Sequence, residues 1–285
     1  MKSSLNKILV KEASFKNCKK IPLFYWSERK FIFREKENYG DLISKYLLEK
    51  ISGKDVGFVH PKKQQWYNFN KKHLLAVGSI IHHSTKDSIV WGSGIIDHTQ
   101  YIAKAEFLAV RGPKTREYLL SLGYECPAIY GDPALLLPDY FKPQVDKKFN
   151  LGIIPHYHDY QRALELFGGE PGVKVIDLLT LDVEATTREI LECEKILSTS
   201  LHGLIVAHAY GIPAIWVKMS NKIFGNDIKY VDYLESIQMK VYEPTYIDLQ
   251  IQKQEIDVLF QTYPVLASVE ILKELKAGLL QSKPF

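Results

Sequence analysis

Cysteine is scarce in this chain: Cys18, Cys126 and Cys193 are the three among 285 residues. No two of them have the spacing of a metal knuckle or a disulfide framework, so a reducing, intracellular setting is the simpler expectation. Long apolar runs are missing as well. No stretch reaches the length of a membrane span, and the opening "MKSSLNKILVKEASFKNCKK" has no apolar core of signal-peptide length. Phosphate-binding and nucleophile signatures are also missing. There is no G-x-G-x-x-G, no Walker A sequence and no G-x-S-x-G elbow, which argues against a dinucleotide fingerprint, a P-loop and an ordinary serine hydrolase. A net charge of +4, with lysines spread along the chain, gives no nucleic-acid footprint.

What is present is alternation. Short apolar runs at 21–26, 55–59, 73–80, 88–94, 107–110 and 127–130 are separated by helix-like or turn-like segments. Among these, "RGPKTREYLLSLGY" reads as a helix with Pro113 in its first turn and Gly123 just beyond its end. A looser segment, 137–150, carries two prolines and five charges and reads as a linker. Strand–helix alternation then restarts at "LGIIPHYHD" (151–159) and runs through 173–179, 184–194 and 196–217. This pattern predicts an α/β chain of two Rossmann-like domains facing a central cleft. The expected boundaries are an N-terminal lobe over 1–140, a C-terminal lobe over 141–264, and an amphipathic helix over 265–285 that could run back across the junction. One continuous sheet with a long inner loop is the other arrangement the pattern allows.

Ligands in such folds bind beyond the carboxyl ends of the strands, where the following helices begin. In "ILSTSLHGLIVAHAYGIPAIWV" (196–217), Ser200 and His202 fall just past a strand. Gly203 would let backbone come close to a ligand, and free N–H groups at the helix start suit phosphate or carboxylate. Ser200 as a plain N-cap and His202 as a hydrated first-turn residue fit the same position. Arg111 directly follows the strand "FLAV"; a cation at a helix start opposes the helix dipole, and an anionic ligand would relieve that. Asp41 in "NYGD" and Asp132 in "YGDP" fit helix caps as well as site carboxylates. Gly92, Ser93 and Gly94 in "WGSG" could form a backbone concavity. His156 and His158 stand near Asp159, but no third ligand is implied, so no metal is expected. One of these histidines facing the cleft as a proton carrier is the preferred reading. His82 and His83 could face the same cleft.

Taken in order, "NYGD", "WGSG", "AVRGPKTREYL", "YGDPALLLP" and "STSLHGLIVAHAYGIPAI" resemble the polysaccharide pyruvyl transferase family, across residues 38 to about 217. The resemblance implies a GT-B-like fold. It also implies transfer of the pyruvyl group of phosphoenolpyruvate to a sugar, usually as a ketal, with release of phosphate, in the synthesis of capsule, exopolysaccharide or cell-wall polymers. No cofactor is implied beyond that donor substrate. On this resemblance Arg111 would clamp the donor, and His202 would act as general acid or protonate the departing phosphate. His156, Asp132 or Asp41 would be the base, their order left open. Asn38, Gly40, Asp41, Gly92, Ser93, Gly94, Ser200, Leu201 and Gly203 would line the substrate site. Many members carry an arginine immediately before Leu-His-Gly, where this chain has Ser200; a sub-group resembling succinoglycan-type ketal transferases is similar here. The expected partners are phosphoenolpyruvate and a sugar acceptor, lipid-linked or nucleotide-activated, met in the cytoplasm or at the inner face of the membrane.

Two other classes stay open at this stage. A GT-B-type glycosyltransferase would bind a nucleotide sugar in the same cleft, with Asp227 as a carboxylate for ribose or sugar. An inactive sugar-binding homologue is suggested by Ser200. Trp66 and Tyr67, in "KKQQWYNFNKKH" (62–73), suit either sugar stacking or loop anchoring.

Overall fold

The structure, a computed structural model, describes residues 14–67, 69–223, 225–249 and 253–285. The reading of the first twenty residues as having no apolar core of signal-peptide length therefore falls largely on 1–13, outside the described residues. The strands are β1 (Lys20–Phe24), β2 (Glu37–Asn38), β3 (Asp55–Phe58), β4 (His73–Leu75), β5 (Ser88–Trp91) and β6 (Glu106–Ala109), then β7 (Leu151–Ile154), β8 (Val173–Val175), β9 (Leu179–Thr180), β10 (Ile196–Ser198), β11 (Ala214–Lys218) and β12 (Thr245–Tyr246). The helices are α1 (Glu28–Phe31), α2 (Tyr39–Ser52), α3 (Pro113–Ser121), α4 (Leu137–Tyr140), α5 (Tyr160–Phe167), α6 (Val183–Leu191), α7 (Leu201–Ala209), α8 (Ile228–Ser236), α9 (Lys253–Thr262) and α10 (Val269–Ser282).

Two five-stranded parallel sheets result, in the orders β3-β1-β4-β5-β6 and β12-β11-β10-β7-β8. Helices flank each sheet, so the fold is two Rossmann-like lobes facing a cleft, and the single continuous sheet is ruled out. The central strands β4, β5, β7 and β10 are buried at every position. That is why they appear in sequence as mainly apolar runs rather than alternating ones, with His73, Ser88 and Ser198 as buried polar exceptions. The run at 127–130 does not become a strand. It contributes one bridge, Val110 to Tyr130, because the chain turns into the Gly131–Asp132 corner straight away. The looser segment also differs from expectation at its start: Leu137 is fully buried and opens α4.

Three features fix one lobe against the other. The first is the antiparallel pair β2–β9, with Glu37 opposite Thr180 and Asn38 opposite Leu179. The second is α2, whose Tyr39 hydroxyl meets Thr187 Oγ1 at 2.7 Å and whose Tyr46 hydroxyl donates to Glu184 at 2.7 Å. The third is a shared apolar core in which Tyr39, Ile43 and Leu47 of the first lobe pack with Leu201, Leu204 and Ile205 of the second. A core that runs through the junction resists the hinge motion that a small polar interface would permit. Helix α10 packs on the first lobe: Leu279 is fully buried there, and its carbonyl accepts from Trp91 Nε1 at 2.9 Å.

Candidate functional site

A cavity of about 420 Å³ opens between the lobes. The first lobe lines it with Glu28, Asn38, Asp41, Ser79, His82 and His83, the second with His156, Tyr157, Ser200, His202, Lys222 and Lys229. Local structure explains the placement. Asn38 is the N-cap of α2, its side chain accepting from the Gly40 N–H at 2.9 Å, so Asp41 sits in the first turn facing the cleft. Ser200 is the N-cap residue of α7, with no capping bond from its side chain, and His202 follows in the first turn.

His202 Nε2 lies 3.7 Å from Asp132 Oδ2. Both atoms are buried, and neither has a hydrogen-bond partner. Asp132 is fully buried; its other oxygen accepts from the Ala134 N–H at 2.9 Å, so it caps a 3-10 turn and addresses His202 at once. The opposite edge of the imidazole presses on α2. A Cβ on Gly40 would stand 2.0 Å from His202 Nδ1, so glycine there makes room for the ring rather than for an unusual backbone angle.

Charges in the cavity are unevenly tuned. Burial pushes the Asp41 carboxyl well above the usual carboxylate range, and the nearby negative charges of Glu28 and Glu37 add to this. Its protonated form is thereby favoured relative to that of an exposed carboxyl. Lys229, in the first turn of α8, is brought down to about 8 by burial and then by the charge of Arg111. His156 is lowered to about 3, mainly by burial and next by Lys229, so it stays neutral. His82 and His83 are likewise pulled down, to about 4 and about 3, chiefly by burial.

Several expected residues lie elsewhere. Arg111 is wholly buried and does not line the cavity. Its Nε pairs with Asp232 at 3.0 Å, Nη1 donates to Ser79 Oγ at 2.5 Å, and Nη2 donates to the Ile95 carbonyl at 2.6 Å. The reading of Arg111 as a direct clamp is thus corrected. The cation holds α8, which carries Lys229, against the first lobe, and it reaches the cavity wall through Ser79. Gly92, Ser93 and Gly94 lie behind that wall. A Cβ on Gly94 would be 2.4 Å from the Arg111 guanidinium carbon, and one on Gly92 2.3 Å from Pro133. Ser93 Oγ donates to the Gly78 carbonyl at 2.8 Å. Gly203 admits the Ser198 hydroxyl and Ile154 rather than a ligand.

Asp159 is turned away from the histidine pair. It accepts from Thr199 Oγ1 at 2.8 Å and from Ser220 Oγ, and so fixes the loop that presents His156. Among the described residues no group of three or more His, Cys, Asp or Glu could hold a metal ion. Asp227 is engaged by Lys218 Nζ and does not line the cavity. Glu28, Ser79, Tyr157, Lys222 and Lys229 line the cavity and were not anticipated. Lys229 had a sequence cue, since it is a cation at a helix start just as Arg111 was taken to be. The others had none.

Two parallel-sheet lobes, with titratable groups and a buried cation lining the cavity between them, define an interlobe binding site in a Rossmann-like two-lobed protein. The polysaccharide pyruvyl transferase family model matches residues 17–221, which is most of the chain and contains nearly all of the cavity lining. The chain belongs to the polysaccharide pyruvyl transferase family. It is also 37% identical over 208 residues to "Uncharacterized protein L143" of Acanthamoeba polyphaga mimivirus, an alignment covering 69% of this chain and 70% of that protein.

Proposed function

We propose that the protein transfers the pyruvyl group of phosphoenolpyruvate to two hydroxyls of a sugar in a surface polysaccharide or its precursor, forming a ketal and releasing phosphate. The reading rests on family membership and on one observation of geometry: His202, with the buried Asp132 behind it, lines an interlobe cavity that Lys229 also lines. Lys229 and Lys222 supply positive charge for the anionic donor, and the start of α7 adds backbone donors.

The chemistry follows from the protonation states. Asp41, whose carboxyl burial shifts toward the protonated form, delivers a proton to the methylene carbon, and positive charge develops at the adjacent carbon. Asp132, facing His202 across 3.7 Å, stabilises the imidazolium that forms when His202 takes the proton of the attacking hydroxyl. The phosphate then departs with a proton as the second hydroxyl closes the ring. His202 then passes the proton it took back to Asp41, so over one turnover the two hydroxyl protons are matched by those gained by the new methyl group and by phosphate, and the reaction balances without a redox partner. His156, held neutral, serves as a hydrogen-bonding wall of the site rather than as the base. Ser200 in place of an arginine is consistent with the succinoglycan-type sub-group, Lys229 providing the cation from another element.

The test is a titration of phosphoenolpyruvate against uridine and guanosine diphosphates, on the native protein and on Lys229→Ala and His202→Ala. Phosphoenolpyruvate should bind, Lys229→Ala should weaken it, and His202→Ala should spare binding while removing phosphate release. Exclusive binding of a nucleoside diphosphate would overturn the donor assignment in favour of a glycosyltransferase. The exposed loop bearing Trp66, Tyr67 and Phe69 between lysine pairs 62–63 and 71–72 suits contact with an anionic lipid surface, where a lipid-linked acceptor would be met.

A further inference from the structure

A second cavity, of about 520 Å³, is lined by Tyr25, Arg29, Lys30, Phe33, Arg34 and Glu37. It shares one wall with the reaction cavity. Along the segment 28–38, Glu28, Ile32 and Asn38 face the reaction cavity, while Arg29, Lys30, Phe33, Arg34 and Glu37 face the second one. A group held in one is therefore a single segment away from a group held in the other.

The charges there are unbalanced. Glu37 is buried and already engaged, accepting from Ser27 Oγ at 2.6 Å and from the Arg29 backbone N–H at 3.3 Å. Arg34 Nε lies 3.5 Å from Glu28 Oε2, with its guanidinium 4.7 Å from the Tyr157 ring centre in the opposite lobe. Among the described residues no carboxylate pairs with the side chain of Arg29 or Lys30. Lys30 Nζ lies over the Phe58 ring at 4.9 Å. Phe33 adds an aromatic ring that is 88% exposed, on backbone in the left-handed region (φ 59°). An exposed phenylalanine at such an angle is unusual unless the ring is wanted at that place.

We infer that this second cavity is an anion subsite for the phosphate or diphosphate that activates the sugar acceptor. The inference rests on the reading of the first cavity as the pyruvyl-transfer site. A neutral sugar gives no reason to gather three cations. A single sugar carboxylate is matched by one guanidinium, whereas a diphosphate offers more oxygens and more charge, and suits a cluster of fork-shaped and point-like donors. With the diphosphate held by Arg29, Lys30 and Arg34, the attached sugar would reach over the 28–38 wall toward His202.

The test is calorimetric titration of inorganic pyrophosphate into the native protein saturated with phosphoenolpyruvate, and into Arg29→Ala/Lys30→Ala treated identically, with glucuronate as the carboxylate control. Both changed side chains are exposed, and a melting curve checks that the fold is intact. Pyrophosphate should bind, glucuronate should bind far more weakly, and the double variant should lose about tenfold or more in pyrophosphate affinity with its phosphoenolpyruvate affinity unchanged. Absent pyrophosphate binding, binding indifferent to the variant, or preference for glucuronate would overturn the subsite. Failure of phosphoenolpyruvate to bind the native protein would instead sink the donor reading, while a variant-sensitive pyrophosphate signal would still identify the subsite. Farnesyl diphosphate and uridine diphosphate, titrated in the same way, separate a lipid from a nucleoside carrier, and tight variant-sensitive binding of either supports the subsite.

Discussion

Gly40→Ala isolates the catalytic geometry from the stability of the fold. Gly40 lies in the first turn of α2 at an ordinary helical angle, so alanine is acceptable to the backbone. In an exposed helix the change would stabilise by about 0.5–1 kcal/mol. The space is what forbids it: the new Cβ would stand 2.0 Å from His202 Nδ1 and 2.5 Å from Cγ. Ordinary contact begins near 3.4 Å, so the ring must retreat by about 1.4 Å, and displacement of a reacting group by about 1 Å costs on the order of 100-fold in rate. Phosphate release from phosphoenolpyruvate with acceptor present should fall by roughly that factor, with a melting temperature within a few degrees of the native value. Gly53→Ala is the matched control. At φ 65° with nothing within 4 Å, it should cost about 1 kcal/mol of stability and leave the rate alone. A Gly40→Ala protein that keeps its rate within threefold would refute the role assigned to His202 and the packing that holds it.

Other outcomes follow from the same geometry. His202→Ala should lower phosphate release by about 10²–10⁴-fold while the affinity for phosphoenolpyruvate, measured by calorimetry, changes little. Because burial brings Lys229 down to about 8, its charge is present below that pH and lost above it. Donor affinity should therefore fall as pH rises through about 8, with the step moved upward when the anion is bound, and a titration series on Lys229→Gln should lack the step. Arg111→Ala leaves the Asp232 carboxylate buried without its cation, so chemical denaturation should show a loss of about 3–5 kcal/mol. Trp66→Ser combined with Phe69→Ser should reduce cosedimentation with anionic vesicles while leaving transfer to a soluble acceptor intact; equal sedimentation of both proteins would remove the membrane role of that loop.

Sequence reading located the elements well where burial left a local trace. "IVW" and "LGII" carry no polar side chain because both faces of a central parallel strand are covered, and Pro113 and Gly123 mark the ends of α3 by their backbone chemistry. Reading was weakest for groups whose surroundings are assembled from distant segments. Arg111 had the position of an anion clamp, but its side chain turns inward to Asp232, 121 residues away. Gly92, Gly94 and Gly203 resembled phosphate-turn glycines, and their missing Cβ atoms accommodate Pro133, Arg111 and Ser198 instead. Lys229 went unread because what makes it notable is burial, which position in a helix does not reveal.

The sequence by itself determined the two-lobed α/β fold, the family, and the presence of Asp41, Asp132, His156 and His202 near strand ends. Those properties depend on local hydrophobic period, turn residues and motif order. Tertiary structure alone decided that Asp132 faces His202, that Gly40 seats the imidazole, that burial pushes the Asp41 carboxyl above its usual range, and that Lys229 rather than Arg111 meets the cavity. Each of these depends on which side chains from two lobes exclude water from one another, and exclusion of water is a property of the packed whole.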